Sequence, residues 1–512
     1  MTTESEVRTC RLADLIQSVR ARKKHNFSDA PITSVTDDSR RAQPGALFIA
    51  VRGEKIDGHS FIGDAVARGA SAVVCQKAPK PRPACPVITV RDSRVALSAL
   101  ASAFYGHPTR DICMVGVTGS EGKTTTTELI RTILEHAGFR AGSLGTVRYN
   151  LGGRVVEADQ TTPHPISLQA MLREMADGGI THASMEVSSH SLVQRRVHHV
   201  EFRVAVLTNV TQDHLDFHVT RKAYIRAKQM LFERLSPDAV AVLNADSPVC
   251  NRYRKATNAT VLTYGMHKPA DVRLDCLNAD LGGMNLTIHT PLGTYDVYTP
   301  LVGDYNCENI LAAATAAFAL GMPSAAVRRA LERFVGAPGR LERVTPLERS
   351  DLPLVFVDFA HTGESLRRVL TVLRPLTRGR LICAFGCGGN RERQKRPVMG
   401  QTATSIADFT VITSDNSRNE RTEDIIAEIV AGIRAPGARY ETEPDRRKAI
   451  EKAIAAATSP DDVVAICGRG HEQVQILGDQ RIPLDDRVVA REVLLPASSV
   501  ETQQAPARRK SA

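Results

Sequence analysis

The octet Thr118-Gly119-Ser120-Glu121-Gly122-Lys123-Thr124-Thr125 combines the residue types of a phosphate-binding turn. Glycines let backbone N–H groups approach phosphate oxygens, and a helix N-terminus beyond them favours negative charge. Lys123 can reach the β- and γ-phosphates of a nucleoside triphosphate, and the Thr124 hydroxyl can hold Mg²⁺. The spacing is not the G-x-x-x-x-G-K-[ST] pattern, because Val117 stands five positions before Gly122. Further along, Glu186 closes an apolar run, where a carboxylate can meet the magnesium of a Mg-nucleotide. His214 follows the next run. Lys228, taken alone, reads as a solvated helix lysine. Arg196 and Arg418 suit anionic groups, and each reads equally as a solvated surface or loop arginine. His190, His198, His199 and His218 read as surface or hydrogen-bonded histidines. Cys383, Cys387 and His471 do not read as a metal site, since no second Cys pair accompanies them.

These residues need elements to hold them. Ile112–Val117 is a short apolar run, and Leu129, Ile130, Ile133 and Leu134 mark one helical face beyond the turn. Strand, turn and helix in that order form the context a phosphate loop requires. Ala183–Val187, Val204–Thr208 and Ala239–Leu243 read as further buried strands with helices between, a parallel sheet. Before them lies a small α/β pattern, with strands at Ala46–Val51 and Ser71–Cys75 and a helix over Phe61–Gly69. A proline-dense surface loop, Lys77 to Pro86, follows. Gly106-His107-Pro108 reads as a linker. Residues from about Leu281 to Val302 read as a small antiparallel insert, and Gly336 to Gly339 as a second boundary. Strands at Leu354–Val357, Leu381–Phe385, Phe409–Thr413 and Val463–Ile466 make a third α/β unit. The expected domains are therefore 1–108, 109–336 and 337–495, with a disordered tail over 496–512.

Bulk properties narrow the function classes. At 512 residues and 42% hydrophobic composition, the chain is long enough for several cores. Sixty-six Lys and Arg against 56 Asp and Glu give +10, an excess that suits anionic ligands. Trp is absent and aromatics are 4%, so base-stacking platforms are scarce and no nucleic-acid partner is expected. No apolar run reaches the ~18 residues of a membrane helix. The first residues, MTTESEVRTC, lack an apolar signal region. Ten scattered Cys suit reduced thiols in a cytoplasm.

Several long motifs in order resemble the Mur ligase family: the phosphate loop; Met185-Glu186-Val187-Ser188-Ser189-His190; Thr208-Asn209; Asp213-His214-Leu215-Asp216-Phe217-His218; Ala227-Lys228; Gly303-Asp304-Tyr305-Asn306 with Asn309; Gly339-Arg340; and Asp358-Phe359-Ala360-His361-Thr362. The match runs from about Ser34 to Arg491. It implies a three-domain α/β fold: an N-terminal UDP-binding domain, a central P-loop domain with a mostly parallel sheet, and a C-terminal Rossmann-like domain. It also implies an ATP-dependent ligase, in which a substrate carboxylate becomes an acyl phosphate that an amine then attacks. Gly119, Ser120, Glu121, Gly122, Lys123, Thr124, Thr125, Asn309 and Arg340 would bind ATP, the cosubstrate. Thr124, Glu186, His214 and Lys228 would hold Mg²⁺. Lys123, His214 and Lys228 would be catalytic, with Lys228 carrying a carbamate formed from CO₂. That chemistry needs a neutral amine, which burial beside a cation favours.

The N-terminal motifs Asp38-Ser39-Arg40, Pro44-Gly45-Ala46-Leu47-Phe48 and Asp57-Gly58-His59-Ser60-Phe61-Ile62 resemble the UDP-binding domain of the tripeptide- and pentapeptide-forming members. The D-H-L-D-F-H motif, Gln160-Thr161-Thr162-Pro163 and the run from Ser188 to Arg196 favour the tripeptide former. The resemblance places Ser39, Thr161, Thr162, Ser188, Gln194 and Arg196 on a UDP-N-acetylmuramoyl-dipeptide. Arg391, Asp415, Asn416, Ser417, Arg418, Gly468 and Glu472 would bind the incoming amino acid. Arg418 can pair in bidentate fashion with the distal carboxylate of meso-diaminopimelate, which lysine lacks, and Glu472 can bind the distal ammonium. A monomer acting on these small molecules in the cytoplasm, with no membrane insertion, is the expectation.

The chain departs from the family pattern at Glu121 (Asn in the family), Ser417 (Pro), Gly363-Glu364 (Pro-Asp) and Arg469 (Lys). None deletes a proposed ligand. Three rival readings stay open: an L-lysine-adding ligase, a nucleotide-binding regulator motivated by Glu121, and a nucleic-acid-dependent ATPase motivated by the charge and the Arg-rich tail. The base that deprotonates the incoming amine is not identified.

Overall fold

Apolar runs too short for helices become buried strands, and the amphipathic stretches between them become crossover helices. The computed structural model describes residues 8–53, 56–210, 215–218, 220–434 and 436–495. The expected tail over 496–512 and His214 lie outside them. The chain divides into two compact units. One lies within Met1–Arg273, His289–Gly293 and Glu308–Val327; the other within Leu274–Ile288, Thr294–Cys307 and Arg328–Ala512.

The first unit holds two large sheets and a two-stranded ribbon, Cys10–Arg11 with Pro31–Ile32. A five-stranded sheet runs Ala21–His25, Val87–Val90, Ala72–Cys75, Ala46–Ile49, Ser34–Thr36, parallel except for its first edge. Helix Ser93–Phe104 packs against it through Ala96, Leu97, Leu100 and Phe104. Asp92 caps that helix by accepting from the N–H groups of Arg94 and Val95. In the larger sheet, parallel strands Ala141–Leu144, His182–Glu186, Cys113–Thr118, Phe202–Leu207, Val240–Asn244 and Thr260–Gly265 lie side by side in that order. Arg148–Asn150 and Val155–Glu157 add an antiparallel ribbon at one edge. Cys113–Thr118 is central, with later strands on both sides, so its C-terminal end opens at a topological switch point. Helix Lys123–His136 follows and buries Leu129, Ile130, Ile133 and Leu134. Each is worth about 1.5–3 kcal/mol, enough to anchor a helix whose start must stay precise.

The second unit contains a sheet ordered Glu342–Arg343, Leu354–Asp358, Val463–Cys467, Leu381–Phe385, Phe409–Thr413, Tyr440–Glu443, parallel beyond its first strand. Its four expected strands match within a residue at each end. The fold is α/β throughout the described residues. The insert starts earlier than its sequence pattern suggests: its strands are Val272–Ala279, Met284–Thr290 and Gly293–Thr299. The first escaped notice because it is exposed along most of its length and alternates only at its start.

Candidate functional site

The phosphate loop joins strand Cys113–Thr118 to helix Lys123–His136, as its spacing requires. Gly122 sits at φ +77°, and a side chain there would come within 2.2 Å of Asn309 Oδ1. Asn309 therefore lies against the loop, and Thr126 Oγ1 also donates to it at 3.5 Å. Thr208 and Asn209, at the end of the neighbouring strand, support the loop. Asn209 Oδ1 accepts from the Glu121 N–H at 3.0 Å, its carbonyl accepts from the Ser120 N–H at 2.9 Å, and Thr208 Oγ1 donates to the Glu121 carbonyl at 2.6 Å. The Glu121 residue is exposed, so its backbone belongs to the loop while its side chain stands at the surface. Lys123 Nζ folds back to the carbonyls of Gly119 (3.0 Å) and Ser120 (2.8 Å).

Lys228 is not the solvated lysine of the default reading. It lies on helix Arg221–Phe232, is 1% exposed, and donates to the Gly119 carbonyl at 2.6 Å. Its Nζ stands 4.5 Å from the Tyr224 ring centre, one helical turn away, and the Tyr224 hydroxyl meets Ser120 Oγ at 3.0 Å. Glu186 closes strand His182–Glu186, opposite Val117. It is 1% exposed and accepts from Thr146 through N–H (2.7 Å) and Oγ1 (3.0 Å).

Oxygen donors at Glu186 and Thr124 suit a hard cation such as Mg²⁺, and the Thr118 hydroxyl, buried without a partner, adds another at the base of the loop. Among the described residues no group of three or more His, Cys, Asp and Glu gathers to hold a metal.

A chain of hydrogen bonds leads from Glu186 to the residues assigned to the UDP substrate. Thr146 Oγ1 meets Thr161 Oγ1 at 3.1 Å, and Thr162 Oγ1 donates to the Glu186 carbonyl at 2.8 Å. The Ser188 N–H donates to Thr162 Oγ1 at 3.1 Å. Arg196 donates to Gln194 Oε1 at 2.9 and 2.7 Å, to the Thr162 carbonyl at 2.8 Å and to Gln160 Oε1. Thr161, Thr162, Ser188, Gln194 and Arg196 are thus brought together. Ser39 is buried two residues from Asp37, whose carboxylate meets His164 Nε2 at 3.0 Å.

In the second unit, Asp358, Gly386, Ser414 to Arg418 and Gly468 to Glu472 gather at the C-terminal ends of parallel strands. Asn416 Nδ2 donates to Glu472 Oε2 at 2.7 Å. Burial and the neighbouring Asp415 push the Glu472 carboxyl up, so a cation placed beside it is favoured. Arg418 adopts φ +51° and donates through Nη1 to the carbonyls of Gly389 (2.9 Å) and Asn416 (3.3 Å). A guanidinium at Arg418 and carboxylates at Asp415 and Glu472 are groups that can pair with the opposite charges of a zwitterion. The Gly468 N–H donates to the Asp358 carbonyl at 3.1 Å. Arg391 is exposed on the neighbouring turn. Arg340 lies over the Phe359 ring at 4.9 Å, with its Nε buried and unpartnered. Burial, with Arg340 and Arg487 nearby, lowers His471 to about 4. Arg469, where the family carries Lys, is fully buried between Asp486 (3.6 Å) and Glu472 (3.7 Å).

Sequence reasoning missed Thr146, Tyr149, Tyr224 and Gln475. Tyr224 was within reach, since it precedes Lys228 by one helical turn. Tyr149 donates to the Gln160 carbonyl at 2.5 Å from a ribbon with no motif of its own.

Residues 31–105 match the description Mur ligase family, catalytic domain; residues 117–317 match Mur ligase middle domain; and residues 339–470 match Mur ligase, glutamate ligase domain. The UDP-N-acetylmuramoyl-L-alanyl-D-glutamate–2,6-diaminopimelate ligase of Geobacillus thermodenitrificans (strain NG80-2) is 42% identical over 473 residues, covering 91% of this chain and 96% of that protein. The protein of the same name from Gloeobacter violaceus (strain ATCC 29082 / PCC 7421) is 44% identical over 470 residues, covering 92% and 95%. A solved structure of a ligase with that name superposes with a TM-score of 0.68 at 32% identity, covering 91% of this chain and 95% of that one. By length and by identity, this chain belongs to the Mur ligase family.

Proposed function

We propose that this protein is an ATP-dependent ligase that joins meso-diaminopimelate to UDP-N-acetylmuramoyl-L-alanyl-D-glutamate, a cytoplasmic step in peptidoglycan precursor synthesis. The observation that carries the reading is the buried Lys228 amine, which donates to the Gly119 carbonyl at 2.6 Å: an amine enclosed against the phosphate loop is where a carbamate-bearing lysine would stand. The names of relatives aligned over nine-tenths of the chain support the choice of substrates. Ten free thiols suit a reducing compartment.

The proposed reaction has two steps. A substrate carboxylate oxygen attacks the γ-phosphorus, forming a C–O–P bond as the bond to the β-phosphate oxygen breaks and ADP leaves. The amine of diaminopimelate then attacks the acyl-phosphate carbonyl, forming the C–N bond. Inorganic phosphate leaves, and the amine gives up a proton. Bound Mg²⁺ would offset phosphate charge. Gly119 to Thr125, with Asn309, hold ATP, while Lys123 and Arg340 offset charge as it develops on the transferred group. Glu186, Thr124, His214 and a carboxylated Lys228 are assigned to Mg²⁺. The UDP substrate is assigned to Ser39, Thr161, Thr162, Ser188, Gln194 and Arg196, with residues 1–108 holding its uridine end. Residues 109–336 bind ATP and residues 337–495 bind the amino acid. Arg418 recognises the distal carboxylate of diaminopimelate and Glu472 its ammonium, with Arg391, Asp415, Asn416, Ser417 and Gly468 shaping the turn.

The test is phosphate release measured with UDP-N-acetylmuramoyl-dipeptide and a panel of amino acids. Release should require the dipeptide substrate and diaminopimelate together. Preference for L-lysine would overturn the amino-acid assignment. Release without either substrate, or none at all, would overturn the ligase reading.

A further inference from the structure

The turn that carries Arg418 lacks the proline restraint of the family pattern, yet Arg418 is held at φ +51° with Ser417 3% exposed. The restraint comes from the hairpin Val474–Leu477 and Gln480–Pro483. Its first strand lies alongside the turn. The Ile476 N–H donates to Asn416 Oδ1 at 2.8 Å, the Arg418 N–H donates to the Ile476 carbonyl at 3.1 Å, and the Gly478 N–H donates to the Arg418 carbonyl at 2.7 Å. Both backbone groups of Arg418 are therefore tied to the hairpin, and Arg418 pairs with Leu477 as a parallel bridge.

One buried side chain fixes the other end of the turn. Gln475 is 3% exposed and donates through Nε2 to Ser414 Oγ at 2.8 Å and to the Asp415 carbonyl at 3.1 Å. Residues 414 to 418 are thus gripped at 414 and 415 by an amide side chain and at 416 and 418 by backbone. Arg418 then directs Nη1 at the Gly389 and Asn416 carbonyls rather than swinging free. A bidentate guanidinium gains from being pre-placed, because freezing a rotamer-rich side chain on binding costs conformational entropy.

We infer that Gln475 is a positioning residue for amino-acid recognition, acting through the 415–418 turn and doing by hydrogen bonds what a proline at 417 does by ring closure. The inference rests on the proposed assignment of Arg418 to the distal carboxylate. Loss of the Gln475 donor should release the turn at Asp415, leaving ATP and the UDP substrate unaffected.

The experiment uses the full chain with Gln475→Glu, which keeps shape but replaces the Nε2 donor of both hydrogen bonds by a carboxylate oxygen, and Gln475→Met, which removes the polar atoms altogether. Each is also combined with Ser417→Pro. Steady-state phosphate release is measured with all three substrates varied, and urea unfolding is followed in parallel. KM for diaminopimelate should rise at least tenfold in both single variants. KM for ATP and kcat should stay within about twofold, and Ser417→Pro should recover most of the lost affinity. A merely structural role would lower the unfolding midpoint and kcat without that split and without rescue. An unchanged diaminopimelate KM in a folded Gln475→Glu protein overturns the inference. So does a proline that fails to rescue either variant. Wild-type protein that does not use diaminopimelate overturns the proposed function instead, which separates the two failures.

Discussion

Replacing Lys228 by Met keeps the buried aliphatic stem and removes the amine, so the consequences for stability and for rate separate. In the folded protein the amine gains a charge-assisted hydrogen bond to Gly119 at 2.6 Å, about 1.5–3 kcal/mol. Its place 4.5 Å from the Tyr224 ring centre adds ~2 kcal/mol when desolvated. Against these stands a burial cost of several kcal/mol for an ammonium at 1% exposure. For the uncarboxylated lysine these contributions offset one another to within a few kcal/mol. The Gly119 carbonyl also keeps the Lys123 ammonium at 3.0 Å when Lys228 is gone. Urea unfolding of Lys228→Met should therefore shift by less than ~2 kcal/mol. Activity should behave otherwise. A carbamate at this position supplies a fixed negative charge beside the phosphate loop, and loss of one preorganised electrostatic group costs roughly 10²–10³ in kcat. The assay is single-turnover and steady-state phosphate release, with CO₂ present and stripped. Lys228→Ala, which leaves a cavity, should regain part of its rate with formate or acetate. Wild-type kcat in Lys228→Met, with no CO₂ dependence in the parent protein, would refute the assignment.

Because Glu121 contributes its backbone to the loop and its side chain stands at the surface, Glu121→Asn should change KM for ATP by no more than roughly threefold. A tenfold gain in ATP affinity would show that the carboxylate repels phosphate and would favour a regulator. Arg418→Ala should raise KM for diaminopimelate far more than KM for ATP, and should collapse a diaminopimelate-over-lysine ratio in kcat/KM of at least ~10³, the scale of a truncated buried charge pair. An unchanged ratio would exclude Arg418 as the discriminating group. His471 is held to about 4 in the folded protein, below the ordinary value of 6.5, so the unfolded chain binds the extra proton first. Its contribution is intact above pH 6.5 and is lost as pH falls toward 4. His471→Gln should lose less stability between pH 7 and pH 5 than the parent protein, and equal losses in urea unfolding would contradict this.

Local chemistry made much of this molecule legible in advance. A strand, a glycine turn and a helix with an apolar face at 129, 130, 133 and 134 admit few arrangements, and the phosphate loop follows from them. Four of the six strands of the C-terminal sheet could be read because buried parallel strands are continuous apolar runs. Of the residues the resemblance names for a UDP substrate, Thr161, Thr162, Ser188, Gln194 and Arg196 lie together in the folded chain. What the linear pattern could not contain is where long-range partners fall. Lys228 reads as solvated until helix Arg221–Phe232 packs its inner face under Gly119, over a hundred residues away in the chain. Glu121 carries a carboxylate into a phosphate loop, and only the packing of Asn209 and Thr208 shows that its backbone serves the loop while its side chain stands outside. The restraint missing at Ser417 reappears in Gln475, a residue whose type and spacing advertise nothing, sixty residues beyond Asp415. Burial, register and side-chain direction arise when separate segments share one core. Residues whose role depends on them become readable only in the folded chain.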